Sequence, residues 1–91
     1  MKYVYPAIIQ PGEKSGYWIR FPDLQGCYSQ GETLPDIMEM AQFALSEWLQ
    51  YLTDEKQTIP LASPIRDVKT ETEDEFVTLV YAAVESSSVA A

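Results

Sequence analysis

Gly16-Tyr17-Trp18-Ile19-Arg20-Phe21-Pro22-Asp23-Leu24-Gln25-Gly26-Cys27-Tyr28-Ser29-Gln30-Gly31-Glu32-Thr33-Leu34-Pro35-Asp36 holds two strands, the turn between them and the start of a helix. Tyr17, Ile19 and Phe21 alternate with Trp18 and Arg20, the period of a strand whose second face is amphipathic rather than polar. Pro22 ends that strand, since it has no N–H to give to a ladder. Asp23-Leu24-Gln25-Gly26 then supplies turn chemistry, and Cys27 to Gln30 returns as a third antiparallel strand. Gly31 interrupts it. Thr33 is placed to cap a helix, with Asp36 three residues on in capping-box spacing and close to the positive end of the helix dipole. Pro35 falls in the first helical turn, where no intrahelical donor is lost.

Upstream, Tyr3 to Gln10 is rich in β-branched and aromatic residues and reads as the first strand. Tyr3, Tyr5, Ala7 and Ile9 share one face, and Val4, Pro6 and Ile8 share the other. Pro6 requires an unpaired or irregular position, because it cannot donate to a neighbouring strand. Residues 11–16 form a hairpin loop. Downstream, Ile37, Ala41, Ala44, Leu45, Trp48 and Leu52 recur at helical spacing, with Glu39, Gln42, Ser46, Glu47 and Gln50 on the wet face. Met40 and Phe43 widen the apolar arc to one side, as further core contact in the first instance and as a docking flank in the second.

After Asp54 the helical pattern dissolves. Pro60 and Pro64 make a continuous helix improbable, so Ile59 to Val68 is an extended arm that lies in a groove of its own body or of a partner. Phe76 to Val84 is the fourth strand. A strand after a helix suits a right-handed crossover, which predicts that it runs parallel to an earlier strand, the first. The expected fold class is α+β, a single β-β-β-α-β domain with a mixed sheet and one amphipathic helix on one face. The domain covers residues 1–85, and 86–91 form a frayed tail.

Ninety-one residues, 46% of them hydrophobic, suffice for one core and not for two. Fourteen acidic against six basic side chains leave a formal charge of -8, which opposes contact with phosphate backbones and suits a basic protein partner. With no histidine, neither a Cys/His zinc site nor a histidine general base can form within the chain. The single cysteine, Cys27, excludes an internal disulfide and lacks a histidine to activate it. No cofactor or metal is therefore expected. The N-terminus has neither the basic start nor the apolar run of a signal peptide, and no stretch nears the roughly 20 apolar residues of a membrane span. A cytoplasmic location is expected by default.

The four glycines form no phosphate-binding loop and read as turn punctuation. A two-metal nuclease would need acids projecting from the strands. The strands carry none, and Glu13, Asp23 and Glu32 lie in loops or at strand ends, so a metal nuclease is disfavoured. Candidate partner-binding residues are the acids Asp23, Glu32, Glu71, Glu73, Asp74 and Glu75, for charge complementarity, with Trp18 and Tyr28 as aromatic anchors. The plainer alternative is that the acidic run is a solvated approach to a strand and the aromatics fill the core.

Phe21-Pro22-Asp23-Leu24-x-Gly26-Cys27, followed by Gly31-Glu32-Thr33-Leu34 and an alanine-containing amphipathic helix, resembles the HicB family of antitoxins. The resemblance covers Tyr3 to Leu52 well and the remainder loosely. It implies a partial ribonuclease H fold. It also implies a partner, a HicA-like toxin, which is a small basic RNase with a double-stranded-RNA-binding-like fold and a catalytic histidine, held inactive by surface masking. The alternative within the family is a protein- or ligand-binding module without a toxin. Many members continue into a DNA-binding module, but too little sequence and too little positive charge follow Val84 for one here, so direct nucleic-acid binding is not expected. Homodimerisation is expected because an open sheet leaves edges to be paired or protected.

Overall fold

A computed structural model describes residues 1–85. Four strands and one long helix follow in the order β1 (Lys2–Pro11), β2 (Tyr17–Arg20), β3 (Tyr28–Gly31), α1 (Leu34–Asp54) and β4 (Phe76–Ala83). A single 3-10 turn, Ile65–Asp67, interrupts the long connection before β4. The sheet order is β3-β2-β1-β4.

β1 rises, β2 returns beside it with Ile9 opposite Ile19, and β3 rises again with Ile19 opposite Ser29. Tyr5, Ala7, Ile9, Ile19 and Phe21 thereby share one face, which α1 covers with Ile37, Ala41, Leu45 and Leu49. Burying one face is what fixes the register, since a slip of one residue would turn that whole set to solvent. The helix begins as its sequence dictates, with Thr33 Oγ1 accepting the Asp36 N–H at 3.2 Å and proline in the first turn. Leu49 completes the buried stripe, while Ala44, Trp48 and Leu52 flank it partly buried. Met40 and Phe43 are not core residues: they are 42% and 61% exposed, because helical spacing turns them away from the buried stripe of Ile37, Ala41, Leu45 and Leu49.

Gly31 explains how the helix can start so close to the strand before it. A Cβ at this position would stand 2.8 Å from the Ile37 nitrogen, so only glycine lets β3 pass under the first turn of α1.

The fourth strand does lie beside the first, but it runs antiparallel to it, with Tyr5 opposite Val80 and Ile9 opposite Phe76. The sheet is therefore wholly antiparallel rather than mixed. The reason is the length of the arm. α1 carries the chain to the end of the sheet where β1 begins, and residues 55–75 carry it back again before β4 starts. Over that path Ile59 packs on the core, the Tyr5 hydroxyl donates to the Pro60 carbonyl, and Ser63 reaches Asp23. The arm thus lies on its own body. Pro6 fits because β2 pairing stops at Ile8 opposite Arg20, so at Pro6 only β4 flanks the strand. At the far end Met1 and Val84 exchange backbone hydrogen bonds of 2.9 and 2.8 Å.

Residues 86–91, expected as a tail, lie outside the described residues. No helix among the described residues is long and apolar enough to cross a membrane.

Candidate functional site: the aromatic groove on the open face

The helix covers one face of the sheet and leaves the other to the alternate residues of each strand. Register places Ile8, Arg20 and Tyr28 in one row across three strands, and Gln10, Trp18 and Gln30 in the next. Beyond β2 the chain turns tightly. The Leu24 N–H bonds to the Phe21 carbonyl at 3.0 Å and the Cys27 N–H to the Leu24 carbonyl at 2.9 Å, with Gly26 at a φ of 96° against the Trp48 ring. That turn forms one wall of a groove of about 580 Å³, lined by Trp18, Arg20, Pro22, Gln25 and Tyr28.

Trp18 and Tyr28 are the exposed aromatics of this groove, 42% and 61% accessible. Their ring centroids lie 6.3 Å apart at an interplanar angle of 37°. Arg20, next to them, is occupied. Its Nη1 donates to Gln10 Oε1 at 2.7 Å and to Glu75 Oε2 at 3.1 Å, and Nη2 lies 3.6 Å from a Glu71 carboxylate oxygen. Arg20, the charged residue that lines the groove, is therefore already paired with acids.

The sequence-chosen residues divide accordingly. Trp18 and Tyr28 come together, Glu71 lies beside Arg20, and Glu73 and Asp74 are exposed in the turn that follows Glu71. Glu32 is exposed at the end of β3 and shares a shallow depression with Trp18. Glu75 is committed internally: its side chain is 4% exposed and holds both Arg20 and the Glu71 N–H, the latter at 2.8 Å. The Arg20 hydrogen bonds, followed by that backbone N–H, hold its carboxyl below the usual carboxylate range. Asp23 is committed as well, accepting the Ser63 N–H at 2.8 Å and the Ser63 hydroxyl at 2.6 Å. Both carboxylates are thus engaged within the chain, unlike the exposed acids of the set. Arg20, Gln10, Pro22 and Gln25 belong to the groove but were not selected from sequence. The alternation of Trp18 with Arg20 was the available signal.

No catalytic arrangement emerges among the described residues. Glu13 and Glu32 sit at one end of the sheet and Asp23 at the other. No three acids or cysteines come together in a way that could hold a metal ion, again among the described residues. Cys27 is 3% exposed, its sulfur 3.8 Å from the Ala44 carbonyl, and burial pushes its thiol up to about 11. Burial is also the main reason that the Tyr5 hydroxyl titrates above its ordinary value, with nearby Tyr3 and Asp23 adding to it.

Fold and groove together define an antiparallel four-stranded sheet backed by one helix, whose open face carries a shallow groove with two exposed aromatics. The family model described as the HicB_like antitoxin of bacterial toxin-antitoxin systems matches residues 5–90, and the chain belongs to that family. It is 34% identical over 61 residues to Antitoxin HicB 1 of Photorhabdus laumondii, an alignment covering 67% of this chain and 39% of that protein. It is also 34% identical over 61 residues to Antitoxin HicB of Escherichia coli K12, covering 67% and 44%. The chain thus aligns with less than half the length of these curated relatives. Its fold matches a chain in a toxin-antitoxin complex from Streptococcus pneumoniae with a TM-score of 0.81 at 19% identity, covering 91% of this chain and 70% of that one.

Proposed function

We propose that this chain is the antitoxin of a type II toxin-antitoxin pair, binding a small basic HicA-like mRNA interferase in the cytoplasm and masking it without catalysis of its own. The observation that carries this is the exposed Trp18–Tyr28 pair over a groove in a chain of net charge -8. Exposed aromatics set in a concave surface are the usual anchors of a protein interface, and they accept Arg or Lys on their faces. Glu32, Glu71, Glu73 and Asp74 add a field that steers a basic protein toward this face. Masking needs no chemistry. A toxin surface that binds RNA through basic side chains is closed once those side chains face this groove.

The family and the relatives named as HicB antitoxins support the reading. The test is co-expression with the product of the adjoining gene, scoring growth and co-purification. Rescue with a stable complex is expected from the wild-type chain, and loss of both from a Trp18→Ala/Tyr28→Ala double variant that keeps its circular dichroism spectrum. Full rescue and an undiminished complex from the double variant would move the interface off this groove, and an adjoining product that is neither toxic nor bound would overturn the reading.

A further inference from the structure

α1 carries a second face that neither the core nor the groove uses. Met40, Phe43, Glu47 and Tyr51 recur at helical spacing, and Met40, Phe43 and Tyr51 are 42%, 61% and 60% exposed. At about 1.5 Å per residue, the stripe from Met40 to Tyr51 runs about 16 Å along the helix. A surface helix ordinarily turns charged and polar residues to water, so two aromatics and a methionine in line on its outer side make a surface suited to being covered. Half-buried Ala44 and Trp48 border the stripe on the side where Trp48 packs against Gly26.

Charge selects the occupant. The helix holds Asp36, Glu39, Glu47 and Asp54, with no lysine or arginine from Leu34 to Asp54. All but Asp54 lack a recorded side-chain partner, and among the described residues no basic side chain pairs with any of the four. Asp54 stands at the negative end of the helix dipole, where a cation stabilises and an acid does the reverse, and its partner is the neutral Gln50 at 3.0 Å. Glu47 lies within the stripe, Asp36 and Asp54 at its ends and Glu39 beside it. An apolar line set among unpaired carboxylates is complementary to an apolar line set among lysines and arginines. A second copy brings the same acids to the same line, and a phosphate backbone brings more negative charge still.

We propose that this face of α1 binds a basic amphipathic helix of a second protein partner, its apolar stripe against Met40, Phe43 and Tyr51 and its cationic side chains against Glu39, Glu47 and Asp54. Anchors at these intervals interdigitate with the side-chain ridges of a facing helix. Phe43 and Tyr51 also offer ring faces to a guanidinium or ammonium group. The groove lies on the helix-free side of the sheet, so both surfaces can be occupied together, and the chain then joins two basic proteins. Nothing about this face depends on what occupies the groove.

The probe is a fluorescein-labelled synthetic helix of about 18 residues, long enough to span the stripe, with leucine on one face and lysine and arginine beside it. It is titrated against the full chain and read by anisotropy. One control peptide has the same composition with its leucines scattered around the helix, and another has glutamate for every lysine and arginine. Saturable binding of the first peptide alone is expected, weakened several-fold by Phe43→Ser, several-fold by Glu47→Lys, and by added salt. Phe43 and Glu47 are exposed, and an unchanged circular dichroism spectrum checks that each variant folds. The Trp18→Ala/Tyr28→Ala variant is expected to bind the peptide as the wild-type chain does. No binding at several hundred micromolar protein would overturn the proposal, as would equal binding of the scattered peptide, which would reduce the attraction to net charge. Binding lost in the groove variant and kept in Phe43→Ser would overturn it by putting the helix in the groove. Sedimentation in which Phe43→Ser abolishes self-association of the wild-type chain would overturn it in favour of a second copy on this face.

Discussion

Arg20 and Glu75, separated by 55 positions in sequence, meet on the open face of the sheet with Nη1 3.1 Å from Oε2 and Nη2 3.4 Å from Oε1. The pair pins the end of the arm to β2 just before β4 begins, and it also fixes the guanidinium that floors the groove. Arg20 is 34% exposed, so water screens part of the attraction. Removing the arginine leaves a nearly enclosed carboxylate with one backbone partner. Arg20→Ala is expected to cost about 1–2 kcal/mol, an amount set by the lost charge-assisted hydrogen bonds and measurable by urea unfolding.

The same pair sets a pH dependence. Because the folded-state Glu75 carboxyl titrates below its unfolded value, its contribution is fully present above the ordinary carboxylate range and disappears as pH falls through the lowered folded value. Glu75→Gln should therefore flatten the acid limb of the wild-type stability curve while leaving its shape at neutral pH unchanged. Identical acid limbs in the two proteins would show the ion pair to be idle.

Asp23 holds the arm at its middle through both hydrogen bonds to Ser63. Asp23→Ala is expected to free that segment and speed tryptic cleavage at Arg66 and Lys69 several-fold, with little change in far-ultraviolet circular dichroism. Ser63→Ala, which keeps the backbone N–H, should give a smaller effect of the same sign. Equal cleavage rates in all three proteins would mean that Ile59 and the Tyr5 hydroxyl hold the arm without help.

Gly31→Ala drives a methyl group toward the Ile37 nitrogen at 2.8 Å and forces the first turn of α1 away from β3. The expected loss is about 1–3 kcal/mol, the range for overpacking. Ala41→Leu, at a fully buried helix position, should cost a similar amount, and more than Ala44→Leu at the margin of the buried stripe. The order of the two alanine variants in thermal melts checks the buried face directly.

Cys27 is buried and its thiol is raised to about 11, so at pH 8 it is almost wholly protonated. Iodoacetamide is expected to leave the native protein unmodified at times that alkylate the urea-unfolded chain completely. Rapid native labelling would show that the turn from Pro22 to Gly26 opens readily.

Alternation and punctuation determined by themselves the strand order along the chain, the faces of β1 and β2, the Thr33 cap and most of the buried helix stripe, because these depend on spacing within a few residues. They also located the segment that marks the family, and singled out Trp18 and Tyr28, which fold into one exposed pair. The direction of β4 was decided only in three dimensions: a chain leaving α1 can enter a fourth strand either way, and the long arm between them had the reach to return to the opposite end of the sheet. The fate of the acids was decided there too. Asp23, Glu71 and Glu75 are all simply acids in the sequence, but Ser63 and Arg20 approach them only after folding, leaving Asp23 and Glu75 engaged and Glu71 still largely open to solvent. Local sequence specifies which groups exist and which face they take, and long-range packing decides which of them stay available.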